Sequence, residues 1–88
     1  MSRKVKIELN DEGRKILSAR EEIIIHCLLN GYTVTEIAKT FCRDVRTISG
    51  QKRNAYKKLM VKNDTSLVIE LLRMGYIEVK ESSEFFPD

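Results

Sequence analysis

The sequence has little with which to build a metal centre, a disulfide framework or a membrane span. It contains two cysteines, Cys27 and Cys42, fifteen positions apart, and a single histidine, His26. That is too few ligands for a structural zinc site, and no Cys-x-x-Cys pair is present. Two reduced thiols are expected, one of them in a helix core. No apolar run approaches the roughly 18 residues of a membrane-spanning helix. The opening residues, MSRKVKIELNDEG, form no apolar signal segment, so a cytoplasmic chain is expected. Internal repeats and low-complexity segments are missing too. Nor is there a carboxylate pair, a Cys/His arrangement or a phosphate-cradling glycine loop. An enzyme, a cofactor and a small-molecule substrate are therefore not expected.

What is there is charge, unevenly placed. The 88 residues make one small domain, and 42% of them are hydrophobic, enough for a modest core. Net charge is +3, yet the stretch Arg43–Lys62 alone is net +6. It holds Arg43, Arg46, Lys52, Arg53, Lys57, Lys58 and Lys62 against one acid, Asp44. The rest of the chain is net −3, and residues 76–88 are themselves net −3. A basic cluster beside neutral and acidic segments points to a polyanionic partner.

Helix signals surround that cluster. Ser18-Ala19-Arg20-Glu21 and Thr33-Val34-Thr35-Glu36 are capping boxes, in which a hydroxyl and a glutamate satisfy the open N–H groups of a helix start. The first predicts a helix from Ala19 to Asn30, with Ile24, Cys27 and Leu28 at helical spacing and Gly31 as its stop. The second predicts a short helix to Thr40, with Ile37, Ala38 and Phe41 on its apolar face. Asp44 suits the start of a third helix, Val45–Leu59, about 22 Å long at ~1.5 Å per residue. There Val45, Ile48, Ala55 and Leu59 mark one face, and Arg46, Ser49, Gly50, Arg53 and Lys57 another. Tyr56 is expected to pack under a fourth helix, Thr65–Met74, which Asn63-Asp64 caps and Gly75 closes. Its apolar stripe is Leu67, Val68, Leu71 and Leu72. Val5, Ile7 and Leu9 alternate with Lys6 and Glu8, which allows one edge strand, and Asn10–Gly13 reads as a turn. Residues 1–16 are otherwise a linker or arm, 17–76 the folded domain, and 77–88 an acidic tail. In that tail Phe85 and Phe86 can dock, and Pro87 ends any regular structure.

Two short helices joined by a three-residue turn, the second basic on one face, form a helix-turn-helix plan. The wording also resembles the LuxR/FixJ/GerE-type DNA-binding domains over Leu17–Tyr76. The similar pieces are LSARE, the glycine of LNGY, TEIAKTF, and DVRTISGQKRNAYKKLMVKND, with VTEIAK and TIS–QK especially similar to the RcsB branch of response regulators. The resemblance implies an all-α, four-helix fold, the third helix in the major groove of double-stranded DNA and the fourth commonly used for dimerisation. It places Ser49, Gly50 and Arg53 where the family reads bases. Thr33, Thr35, Thr47, Gln51, Lys52 and Lys57 fall where it grips phosphates. Arg46 and Lys58 join them as phosphate contacts by charge. Leu67, Glu70, Leu71 and Met74 are the expected dimer residues. Three positions depart from the pattern: Ile23 for a glutamate, Met60 for the glycine that ends the third helix, and Ser49-Gly50 for a lysine-bearing pair. The implied function is a bacterial transcription regulator, as a homodimer or with a related regulator. The alternative is a partner-interaction module that heterodimerises with a related helix-turn-helix protein. Response regulators of that branch carry a receiver domain ahead of this module, which sixteen residues are too few to fold.

Overall fold

The computed structural model describes residues 5–81. In chain order these form β1 (Val5–Leu9), α1 (Asp11–Ile16), α2 (Ala19–Leu29), α3 (Val34–Thr40), α4 (Val45–Leu59), α5 (Leu67–Met74) and β2 (Ile77–Glu81). The four helices expected from sequence are α2 to α5. The expectations for Phe85, Phe86 and Pro87 lie outside the described residues.

Local chemistry explains the helix starts. Ser18 Oγ accepts from the Glu21 N–H at 3.2 Å, and Glu21 Oε1 accepts from the Ser18 N–H at 2.9 Å. Thr33 and Glu36 repeat the exchange at 3.1 and 2.8 Å. Each box satisfies donors that the first helical turn leaves open. At α4, Asp44 accepts from the Arg46 N–H at 2.7 Å. Met60 closes that helix with φ 61° and ψ 38°, the left-handed geometry glycine usually supplies. The Val61 N–H then reaches back to the Tyr56 carbonyl at 2.9 Å.

An all-α fold is corrected at the two ends. β1 and β2 pair antiparallel, with Ile7 opposite Val79 and Leu9 opposite Ile77. Alternation turns Leu9 and Ile77 inward, where both are buried. Asn10 is not a turn residue but the cap of α1. Its Oδ1 accepts from the Gly13 N–H at 2.9 Å, and its Nδ2 donates to the Gly75 carbonyl at 2.6 Å. Gly13 lets α1 lie on the hairpin, since a Cβ there would sit 3.0 Å from both Leu9 and the Tyr76 carbonyl. On α2, His26 Nε2 accepts from the Leu9 N–H at 3.0 Å, and Asn30 exchanges hydrogen bonds with Ile7 at 3.4 and 3.2 Å. Segments read as an arm and the start of a tail thus dock on the helices.

The core has two parts. The larger gathers Leu9, Ile25, Leu29, Ala55, Tyr56, Leu59, Val61, Leu67, Leu71 and Ile77. The smaller holds Ile24, Ile37, Ala38 and Ile48, where α2, α3 and the start of α4 meet. Leu28 packs against both. Ala38, buried and small, lets α3 cross α4 closely. Phe41 and Val45, expected on apolar faces, are instead 43% and 45% exposed.

Candidate nucleic-acid interface

The faces of α4 follow from its helical period of about 100° per residue. Ile48, Ala55 and Leu59 share the buried side. Opposite them, within about 60° of a common direction, lie Arg46, Ser49, Gly50, Arg53 and Lys57. Arg46, Arg53 and Lys57 are exposed there, and Ser49 and Gly50 are half-buried. A Cβ added at Gly50 would meet nothing within 4 Å. The glycine therefore opens the outward surface rather than fitting the fold. Among the described residues, no ion pair engages Arg46, Arg53 or Lys57.

Lys52 and Lys58 sit elsewhere, about 120° to either side of that direction. Lys52 Nζ lies 3.1 Å from Asp64 Oδ1 and 3.3 Å from Oδ2, and 5.5 Å from the centre of the Tyr56 ring. The Tyr56 hydroxyl donates to the same Asp64 oxygen at 2.7 Å. That hydrogen bond holds the Asp64 carboxyl below its ordinary range; burial opposes the effect, and the Lys52 ammonium adds to it. Burial, with the Asp64 contact, pushes the Tyr56 hydroxyl strongly upward. On the other flank, Lys58 Nζ meets Glu21 Oε1 at 2.8 Å. Burial opposes charge on Glu21, but the hydrogen bonds from Lys58 and from the Ser18 N–H outweigh it and keep the carboxyl below its usual range. Two of the lysines counted as phosphate contacts are thus joined to carboxylates of α2 and of the loop before α5.

The remaining candidates are brought together in part. Thr33 and Thr35, at the start of α3, line an open groove of about 610 Å³ with Val45, Ser49 and Lys52. A neighbouring groove of about 520 Å³ joins Ser49, Arg53, Lys57 and Lys62. Thr47 is exposed on the first turn of α4. Gln51 lies toward α2, its Oε1 buried and without a hydrogen-bond partner among the described residues. Of the expected dimer residues, Leu67 and Leu71 face the core, with 4% and 0% exposure. Glu70 and Met74 are half-buried, Glu70 lying 3.8 Å from Arg73. The exposed apolar side chains of α5 are Ile69 and Leu72.

Sequence reasoning missed Asp64 and Glu21 as partners of the basic helix, and Tyr56 as the residue of that helix that holds Asp64. Asp64 reads as a helix cap, but α5 starts at Leu67, and Asn63 alone accepts from the Ser66 N–H, at 2.9 Å. The available signal was the four-residue step from Lys52 to Tyr56, which places them on one flank. Among the described residues, no group of three or more His, Cys, Asp or Glu side chains could hold a metal ion. No described helix is long and apolar enough to cross a membrane.

The family model for GerE, bacterial regulatory proteins of the luxR family, matches residues 15–71. The transcriptional regulatory protein RcsB of Escherichia coli K12 is 43% identical over 63 residues, covering 72% of this chain and 29% of that protein. RcsB of Salmonella typhimurium matches to the same extent. The uncharacterized HTH-type transcriptional regulator YuaB of Escherichia coli K12 is 44% identical over 59 residues, 67% of this chain and 17% of that protein. The chain therefore spans under a third of the length of the curated relatives it matches. No solved structure matches.

Proposed function

The chain belongs to the luxR family of bacterial regulatory proteins, and from that premise we propose that it is a transcription regulator that binds duplex DNA by laying the outward face of α4 in the major groove. One observation carries the reading. The face of α4 opposite the core presents Arg46, Arg53 and Lys57 without internal carboxylate partners among the described residues. A helix braced by its neighbours can offer such a face to base edges while the flanking cations set register on the phosphates.

In this arrangement Ser49, Gly50 and Arg53 read bases. Arginine, with two donors aimed at one guanine edge, is the principal reader. Arg46, Thr47 and Lys57 meet phosphates, as do Thr33 and Thr35 across the groove they share with Ser49. Gln51 is a weaker contributor because its oxygen is buried. The folded unit takes in β1 and β2 beside residues 17–76, because Leu9 and Ile77 belong to the core. The reading makes the chain a cytoplasmic binding module rather than an enzyme.

Fluorescence anisotropy with a labelled duplex tests the proposal. Binding should weaken steeply with salt, with a logarithmic slope of about −0.9 per phosphate neutralised. No duplex binding at low salt would overturn it. A second reading, a module that pairs with a related regulator, rests on the exposed Ile69 and Leu72 of α5. Paired subunits, alike or related, would cover those side chains together with Glu70 and Met74. Co-purification with a second regulator and weak DNA binding alone would favour it.

A further inference from the structure

We propose that Asp64 is a positioning residue that withholds Lys52 from the DNA backbone, lowering the sequence-independent part of the affinity. The inference rests on the DNA-binding reading of α4. Lys52 lies in the basic stretch, at a position where the family resemblance implies a phosphate contact. The geometry assigns it to Asp64 instead. Both oxygens of one carboxylate stand within 3.3 Å of the ammonium, so two of its three donors are engaged inside the protein. The carboxylate is not free to follow Lys52 outward, because the largely buried Tyr56 holds it by a hydroxyl hydrogen bond at 2.7 Å. The lysine stem is held as well. Its side chain is 22% exposed, and the ammonium lies beside the face of Tyr56. Lys52, Tyr56 and Asp64 thus form one hydrogen-bonded set on one flank of α4, with the Asp64 side chain, 70% exposed, on its outer side.

A phosphate would have to compete with an anion already fixed in place. The consequence is one fewer counterion released on binding any duplex. Non-specific affinity consists almost wholly of such contacts, so the loss falls there more heavily than on a specific site. For a helix whose reading pair is the sparse Ser49-Gly50, that difference favours discrimination.

The test measures duplex binding across a salt series for the full chain and for Asp64→Asn, Lys52→Ala and the double variant. The probe is a labelled duplex of random sequence. Asparagine retains an oxygen for the Tyr56 hydroxyl, and thermal melting reports that each variant is folded. Asp64→Asn is expected to bind several-fold tighter at low salt, with a slope steeper by about 0.9. Lys52→Ala alone should leave the slope unchanged, and the double variant should return to the wild-type slope. Three results would overturn the proposal: a slope unchanged or shallower in Asp64→Asn, a slope shallower by about 0.9 in Lys52→Ala, or a steeper slope that survives in the double variant. The last would mean that removing a negative charge acts through space and not through Lys52. If wild type and all variants fail to bind, the DNA-binding reading itself falls and takes the proposal with it. Lys52→Ala provides an independent measurement should Asp64→Asn not fold.

Discussion

The hairpin end and the helix-turn-helix end of this molecule are built from the same kind of apolar material in different amounts. Ten buried side chains from β1, α2, α4, α5, β2 and the loop after α4 close the hairpin end. Four close the other, and Phe41 and Val45 at its rim are nearly half exposed. Hydrophobic stabilisation scales roughly with the apolar area removed from water. The hairpin end therefore supplies most of the folding free energy. The helix-turn-helix end is fixed by caps and by one small core. A reading surface cannot also be a buried surface. Side chains turned outward on α4 are lost to the core, so the missing stability has to come from the far end of the same helix.

Substitutions in the two cores test that difference most strongly. Leu71→Ala, at a fully buried position of the larger cluster, should cost about 2–5 kcal/mol in denaturant unfolding. Ile48→Ala should cost less, about 2–3 kcal/mol, because a small core with an exposed rim can relax into the space. It should also weaken duplex binding, since it loosens the start of α4. An equal or larger loss for Ile48→Ala would reverse the assignment of stability to the hairpin end.

The reading face should behave in the opposite way. Arg53→Ala is expected to cost about 1–3 kcal/mol of binding to a selected site, with unfolding free energy changed by no more than about 0.5 kcal/mol. Anisotropy and thermal melting on one preparation measure both. Lys58→Ala should do the reverse, costing about 1 kcal/mol of stability, because half of this lysine is in water and its pair with Glu21 is only partly shielded. The salt slope of duplex binding should change little.

The smallest effect separates the ends by pH. Burial is the largest cause lowering His26 below its ordinary 6.5; the nearby charges of Arg14 and Lys6 act the same way, and Glu22 and Glu8 oppose them. The neutral ring is also the form that can accept from the Leu9 N–H. A lowered histidine contributes stability that is fully present above the unfolded value near 6.5 and is lost as pH falls through the folded value. Glu21 and Asp64, also lowered, lose their contributions only as pH falls below their unfolded values near 4.5 and 3.8. Between about pH 6.5 and 4.5 only the hairpin end should soften. The protection of the Leu9 and Ile7 amides against exchange, relative to the intrinsic rate at each pH, should fall in that window while protection in α3 stays constant. The same fall in both places would remove His26 as the cause.

The helices were largely legible because their signals are local. Ser18, Thr33 and Asp44 act on N–H groups two or three residues away, and spacing alone turns Ile48, Ala55 and Leu59 to one side. The strand over Val5, Ile7 and Leu9 could be suspected from its alternation. Its partner could not, because Leu9 meets Ile77 across almost the whole chain. Helix α1 was obscured for a similar reason: the Asn10 that reads as a turn is held by Gly75 and Tyr76, far away in sequence.

By itself, then, the sequence determined where α2, α3 and α4 begin, which side of α4 is apolar, and that a basic surface would result. These are properties of neighbouring residues and of summed charge. Only the tertiary structure decided which basic residues that surface presents. Lys52 and Lys58 look equivalent to Arg53 and Lys57 in a charge count. They differ because folding brings Asp64 and Glu21 within hydrogen-bond reach of the first two. The strength of an ion pair depends on distance and on shielding from water, and neither exists until the chain has folded.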